Sequence, residues 1–149
     1  KDFAVCDYNR FRKGLDKASE ILYIGDNAGE CVFDRVLIEE VQKPVIYVVR
    51  DVPIINDATY EDAVQAGLDK VADILSSGTD GPGTILKRCS SEFKSIYKKS
   101  KFIISKGQGN YEALSNERRP IFFLLKTKCH VIADDLGINK GDIVLKANR

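Results

Sequence analysis

No methionine occurs in these 149 residues, not even at the first position, and there is no tryptophan and only one histidine, His130. The missing initiator, with an opening at KDFAVCDYNR that enters in mid-pattern, leads to the expectation that residues 1–149 are one domain, the C-terminal part of a longer polypeptide. With a single histidine, a cluster of imidazoles of the kind that binds zinc is excluded. The four cysteines, Cys6, Cys31, Cys89 and Cys129, lie far apart without a C-x-x-C pair, so they read as reduced structural thiols of a cytoplasmic protein. No apolar run approaches the roughly twenty residues of a membrane span, and no apolar signal segment leads the chain. Charge of one sign is lacking too: Lys+Arg 23 against Asp+Glu 22 gives a net +1, so no global field draws the chain to nucleic acid. A charged ligand must be held by a local cluster.

What is present begins with Ile21 to Phe33. The apolar run Ile21-Leu22-Tyr23-Ile24 stops at Gly25, Asp26 and Asn27 follow, and a helical pattern starts near Ala28. Ligands of open α/β sheets collect at the carboxyl ends of the strands, which is where Asp26 and Asn27 stand. The helix start directs unpaired N–H groups to the same spot and favours an anion there. Capping of that helix by Asp26 explains the local pattern equally well.

Around this unit, residues 8 to 20 form an amphipathic helix with Phe11, Leu15 and Ala18 at helical spacing. Ala28 to Val41 reads as a helix with Val32, Phe33, Val36, Leu37 and Val41 on its apolar face. Beyond Pro44, the β-branched run Val45 to Val49 suits a strand buried on both faces, reached by a right-handed parallel crossover. Arg50 to Asp57 is a loop, and Ala58 to Ala66 a short helix with Thr59 and Asp62 as a capping box and Gly67 as its stop. Val71–Leu75, Lys101–Ser105 and Ile121–Leu125 are further strands, with Val131–Ala133 and Ile143–Leu145 as short strands at one edge. Gly78 to Thr84 is a glycine-rich connection without the G-K-[ST] ending of a P-loop. The sum is an α/β chain, a three-layer α/β/α sandwich around a mostly parallel, Rossmann-like sheet.

Three strand-end loops then carry one consistent set: Asp26 with Asn27, Asp57, and Lys106 with Gly107 and Asn110. Two carboxylates and an amide oxygen suit a hard divalent cation such as magnesium or manganese, and a lysine opposite suits phosphoryl oxygens. Glu30, in the first helical turn, is either a group that orients a water beside the cation or a favourable helix-dipole charge. His130 reads as a structural or surface residue.

GDNAGE (Gly25 to Glu30), PIINDAT (Pro53 to Thr59), KGQGNYE (Lys106 to Glu112) and FFLLKTKC (Phe122 to Cys129) resemble, in order, the motifs of the damage-control metal-dependent phosphatases, most closely their compact archaeal and bacterial branch. That resemblance implies an α/β/α catalytic domain, normally preceded by a helical one. It implies a metal held by Asp26, Asn27 and Asp57, magnesium or manganese first and nickel or cobalt next. It gives catalytic roles to Asp26, Asp57 and Lys106, and a substrate rim to Lys106, Gly107, Asn110 and Glu30, with a small phosphorylated metabolite as substrate. His130 stands where the family pattern has proline.

Two other readings compete. ILYIGDNAGE also looks like the first glycine loop of an S-adenosylmethionine-dependent carboxyl methyltransferase, with Asp51 as the ribose-binding acid. Only Gly25 and Gly29 are present, however, and Asp57 and Lys106 would have no task. A non-catalytic module that binds phospho-ligands is the third reading. Haloacid-dehalogenase-like phosphatases need a second Asp where Ala28 stands, so a covalent aspartyl-phosphate on Asp26 is not expected.

Overall fold

The computed structural model describes residues 2–148. In chain order the strands are β1 (Val5–Cys6), β2 (Ile21–Ile24), β3 (Val45–Val49), β4 (Asp73–Ser76), β5 (Ile103–Lys106), β6 (Ile121–Lys126) and β7 (Ile143–Ala147). The helices are α1 (Tyr8–Lys17), α2 (Cys31–Val41), α3 (Tyr60–Gln65), α4 (Ser91–Lys99), α5 (Gln108–Leu114) and α6 (His130–Leu136). The strands make one sheet in the order β1-β7-β6-β5-β2-β3-β4. β2 to β6 are parallel to one another, β7 runs antiparallel to β6, and β1 pairs parallel with β7. The expected α/β/α sandwich with a mostly parallel sheet is what the chain forms.

Apolar runs fill both faces. Ile21, Tyr23, Val45, Tyr47 and Ile104 pack under α1, α2 and α3, while Leu22, Ile24, Val48, Ile103 and Phe123 pack under α4, α5 and α6. A strand covered on both sides cannot alternate polar and apolar residues, which is why β2 and β3 read as continuous apolar runs. Gly67, at φ 78, follows α3 in the left-handed conformation expected of a stop, and Thr59 and Asp62 form the expected capping box. β3 lies on one side of β2 and β5 on the other, so the winding reverses between β2 and β5. The loops after those two strands diverge and open a crevice at their carboxyl ends.

Three expectations change. Val5–Cys6 adds a two-residue edge strand that is too short to show periodicity. Val131–Ala133 lies in α6, not in a strand, because three apolar residues fit a helical turn as well as an extended run. The buried face of α2 is Cys31, Asp34 and Ile38, whereas Val32, Phe33 and Val36 point outward. Ile38→Ala is therefore expected to cost about 2 to 4 kcal/mol and Val36→Ser less than about 0.5, readable as shifts of the urea midpoint. No helix among the described residues is long and apolar enough to cross a membrane.

Candidate active site

The loops after β2 and β3 are zipped together by backbone. Ala28 N–H donates to Asn56 O and Ala58 N–H to Asp26 O, each at 2.8 Å, and Asn27 pairs with Asp57 as an isolated antiparallel bridge. Asp26 and Asn27 from one loop and Asp57 from the next, 31 positions beyond Asp26, are thereby brought to one place beside the crevice. Asn27 caps the short 3-10 turn Ala28–Glu30, its Oδ1 accepting from Gly29 N–H at 2.9 Å. The cap expected of Asp26 is thus made by Asn27, and the Asp26 carboxyl stays out of it.

Asp57 is fixed from behind. Arg50, 2% exposed, donates from Nε to Asp57 Oδ2 at 2.7 Å, from Nη1 to Thr84 Oγ1 at 3.0 Å and from Nη2 to Asn110 Oδ1 at 3.0 Å. Asn110 is fully buried, and its Nδ2 donates to Gly25 O at 3.0 Å and Lys106 O at 2.8 Å. One amide therefore ties the end of β2 to the end of β5 and, through Arg50, to Asp57.

Across the crevice, Lys106 Nζ donates to Glu30 Oε2 at 2.7 Å and to Asp34 Oδ1 at 2.8 Å. Asp34, 2% exposed, also accepts from Tyr23 Oη at 2.6 Å and Tyr47 Oη at 2.8 Å. Burial works against the charge of Lys106, yet Asp34 and Glu30 outweigh it and hold the ammonium above its usual range. Burial raises both tyrosines, with Asp34's charge adding to it, so they remain neutral donors. Gly107, at φ 81, passes so close to Asp26 that a Cβ there would collide with the Asp26 carboxylate. Its N–H is used in the sheet, donating to Leu124 O at 2.9 Å.

The charge of Asp26 is disfavoured where it stands in the crevice. Burial, then Asp57, then Glu30 push its carboxyl up to about 6, with Lys128 and Arg50 pulling the other way. It lines a cavity of about 350 Å³ together with Glu30, Lys106, Gly107 and Lys128, walled by Phe3 and Phe33. Lys128 is exposed, and its side chain has no hydrogen-bond or ion-pair partner among the described residues. His130 opens α6 at the surface, beyond this lining.

A family model for the damage-control phosphatase ARMT1-like domain matches residues 1–144. The chain belongs to the damage-control phosphatase ARMT1-like family. A damage-control phosphatase of Pyrococcus horikoshii is 47% identical over 97% of this chain and 52% of its own, and one of Archaeoglobus fulgidus is 41% identical over 87% and 46%. An uncharacterized protein of Methanocaldococcus jannaschii is 46% identical over 85% of this chain and 44% of its own. The crystal structure of the Pyrococcus horikoshii family member superposes with a TM-score of 0.95 at 41% identity, over 100% of this chain and 54% of that one. The chain spans about half the length of the curated relatives it matches.

Within this damage-control phosphatase domain, Asp26, Glu30, Lys106 and Gly107 line the crevice, and Asn27 and Asp57 stand beside it, paired by their bridge. Asn110 lies behind it with both side-chain polar atoms spent on the protein. Sequence reasoning missed Arg50, Asp34 and Lys128. Arg50 follows a β-branched strand at its carboxyl end, a position that could have been flagged beside Asp57. Lys128 lies inside the quoted FFLLKTKC motif. Asp34 gave no usable signal, because its partner Lys106 is 72 residues away.

Proposed function

We propose that this domain carries the active centre of a metal-dependent phosphatase for small phosphorylated metabolites. The observation that carries the reading is the pairing of Asp26 and Asp57 at the switch point by the Asn27–Asp57 bridge, in a family whose archaeal relatives are named damage-control phosphatases. Among the described residues no group of three or more His, Cys, Asp or Glu is arranged for a metal. The donor set nevertheless fits a hard cation, since magnesium-type ions use one or two carboxylates, keep several waters and take substrate phosphate. Asp26 fits best, because a cation would relieve the crowding that raises its carboxyl to about 6.

Asp26 and Asp57 would hold magnesium or manganese, with Asn27 alongside and nickel or cobalt as substitutes. Bound there, the cation supplies Lewis acidity toward the phosphoryl group. Arg50 holds Asp57 in one orientation, so the carboxylate is set before substrate arrives. Lys128, whose side chain has no hydrogen-bond or ion-pair partner among the described residues, offsets the phosphoryl charge from the rim, while Lys106 keeps one of its three donors for substrate after serving Glu30 and Asp34. Glu30, 40% exposed at its side chain, is placed to orient a water or take its proton. Gly107 gives Asp26 its space, and Asn110 positions the strand ends behind the substrate.

Phosphate release across a panel of sugar phosphates and other phosphomonoesters, each with several divalent ions, is expected to give activity that chelation abolishes. Lys128→Ala should raise KM about tenfold or more while leaving cation affinity unchanged. If no phosphate is released from any ester with any ion, the domain is a binding module and this reading is wrong.

A further inference from the structure

Lys128 lines the crevice beside Asp26, yet it stands in the connection between β6 and α6, outside any regular element. Its backbone is nevertheless pinned from two sides. On one side the turn before β7 holds Thr127, whose N–H donates to Asp142 O and whose Oγ1 donates to Asn139 O, each at 2.9 Å, while Gly141 N–H donates to Thr127 O at 2.8 Å. On the other side Lys128 N–H donates to Gln108 Oε1 at 2.7 Å. Gln108 opens α5 and lines the same cavity, and its Nε2 donates to Glu112 Oε1 at 2.8 Å and to Cys129 Sγ at 3.3 Å. Only the oxygen of an amide can meet an N–H and only its nitrogen can meet a carboxylate, so the Gln108 side chain has a single orientation. Gln108 is also two residues from Lys106, and Gly107 between them donates its N–H to Leu124 O of β6 at 2.9 Å. One corner of the chain therefore carries the first ammonium of the crevice, is tied to β6 and clamps the loop that presents the second.

We propose that Gln108 is a positioning residue for the substrate's phosphoryl group, setting the spacing of the Lys106 and Lys128 ammonium groups by holding the Lys128 backbone, a role that rests on the phosphatase reading of the crevice. A lysine head rides on a flexible four-carbon stem, and its charge spreads over a wide arc unless the Cα beneath it is fixed. With Thr127 and Lys128 tied down on both sides, the loop is ordered before a phosphate arrives, and binding loses less conformational freedom. Gln108 needs no contact with substrate for this, because both of its polar atoms are already engaged by protein.

Gln108→Met keeps the length of the side chain and removes the amide. In the complete product of the gene with manganese, KM for para-nitrophenyl phosphate is expected to rise about fivefold while kcat stays within about twofold, the signature of lost uniform binding. In a Lys128→Ala background the same substitution should change KM by less than about 1.5-fold, since a residue that acts only through Lys128 then has nothing to position. Glu112→Ala, at an exposed position of α5 outside the crevice lining, loosens the same amide and should raise KM about twofold, again only where Lys128 is present. The dissociation constant of inorganic phosphate, read by calorimetry, should follow KM in every variant. An unchanged KM and phosphate affinity in Gln108→Met overturn the proposal. An equal rise with and without Lys128 overturns it as well, and makes Gln108 itself a substrate contact. A wild type that neither hydrolyses the ester nor binds phosphate overturns the phosphatase reading and the role of Gln108 together.

Discussion

Asp34→Ala is expected to destabilise the fold by about 3 to 5 kcal/mol, a large share of the total stability of a domain this size. Asp34 is 2% exposed and accepts three hydrogen bonds, from Tyr23, Tyr47 and Lys106. Its removal leaves two buried hydroxyls without their acceptor and a Lys106 ammonium, 17% exposed, with Glu30 alone. Each orphaned hydroxyl costs about 1 to 3 kcal/mol, and the half-compensated charge adds to that. A urea titration with unchanged slope and a lower midpoint is the expected record. A loss under about 1 kcal/mol would mean that water replaces the carboxylate and that the network is solvated. Activity should fall with stability, because Lys106 is then free to pull Glu30 out of its place.

Asp26→Asn is expected to do the opposite to the metal-free fold while lowering activity by about a thousandfold. The carboxyl titrates near 6 in the fold against 3.8 ordinarily, so its ionised form is disfavoured there. The rise from 3.8 to about 6 corresponds to about 3 kcal/mol at most, and partial solvation reduces that to about 1 to 2. The sign follows directly. Well below pH 3.8 the acid is neutral in both folded and unfolded chains and the variant gains nothing. Between about pH 4 and 6 the wild type loses stability that the amide keeps, and above 6 the difference is constant. Thermal melts in chelator should therefore show Asp26→Asn more stable at pH 8, with the difference shrinking steadily as the pH falls from 6 toward 4.

The parallel crossovers and the order of the candidate loops were legible because buried parallel strands leave apolar runs, with Asp26 just after one, Lys106 at the end of another and Asp57 in the loop that follows a third. The phase of α2 was not. Val32, Phe33 and Val36 outnumber Cys31 and Ile38 in apolar weight, so local pattern alone chooses the outer face. The true inner face includes Asp34, whose charge is met by a strand far along the chain. Arg50, and the structural task of Asn110 behind the crevice, were obscure for a related reason: their partners come from four separate segments, and a hydrogen-bond lattice leaves no periodicity. The glycine-rich turn was read as a plain connection, yet its Thr84 is fully buried and bonded to both Arg50 and Asn110.

Calorimetric titration of manganese into the wild-type chain beside Asp26→Asn and Asp57→Asn, with circular dichroism to show that each is folded, tests the central assignment most directly. The wild type is expected to bind at one site, and each variant about a hundredfold more weakly, because either substitution removes one of two anionic donors from a hard-ion site. Wild-type affinity in both variants would contradict the assignment of Asp26 and Asp57 as the cation's ligands.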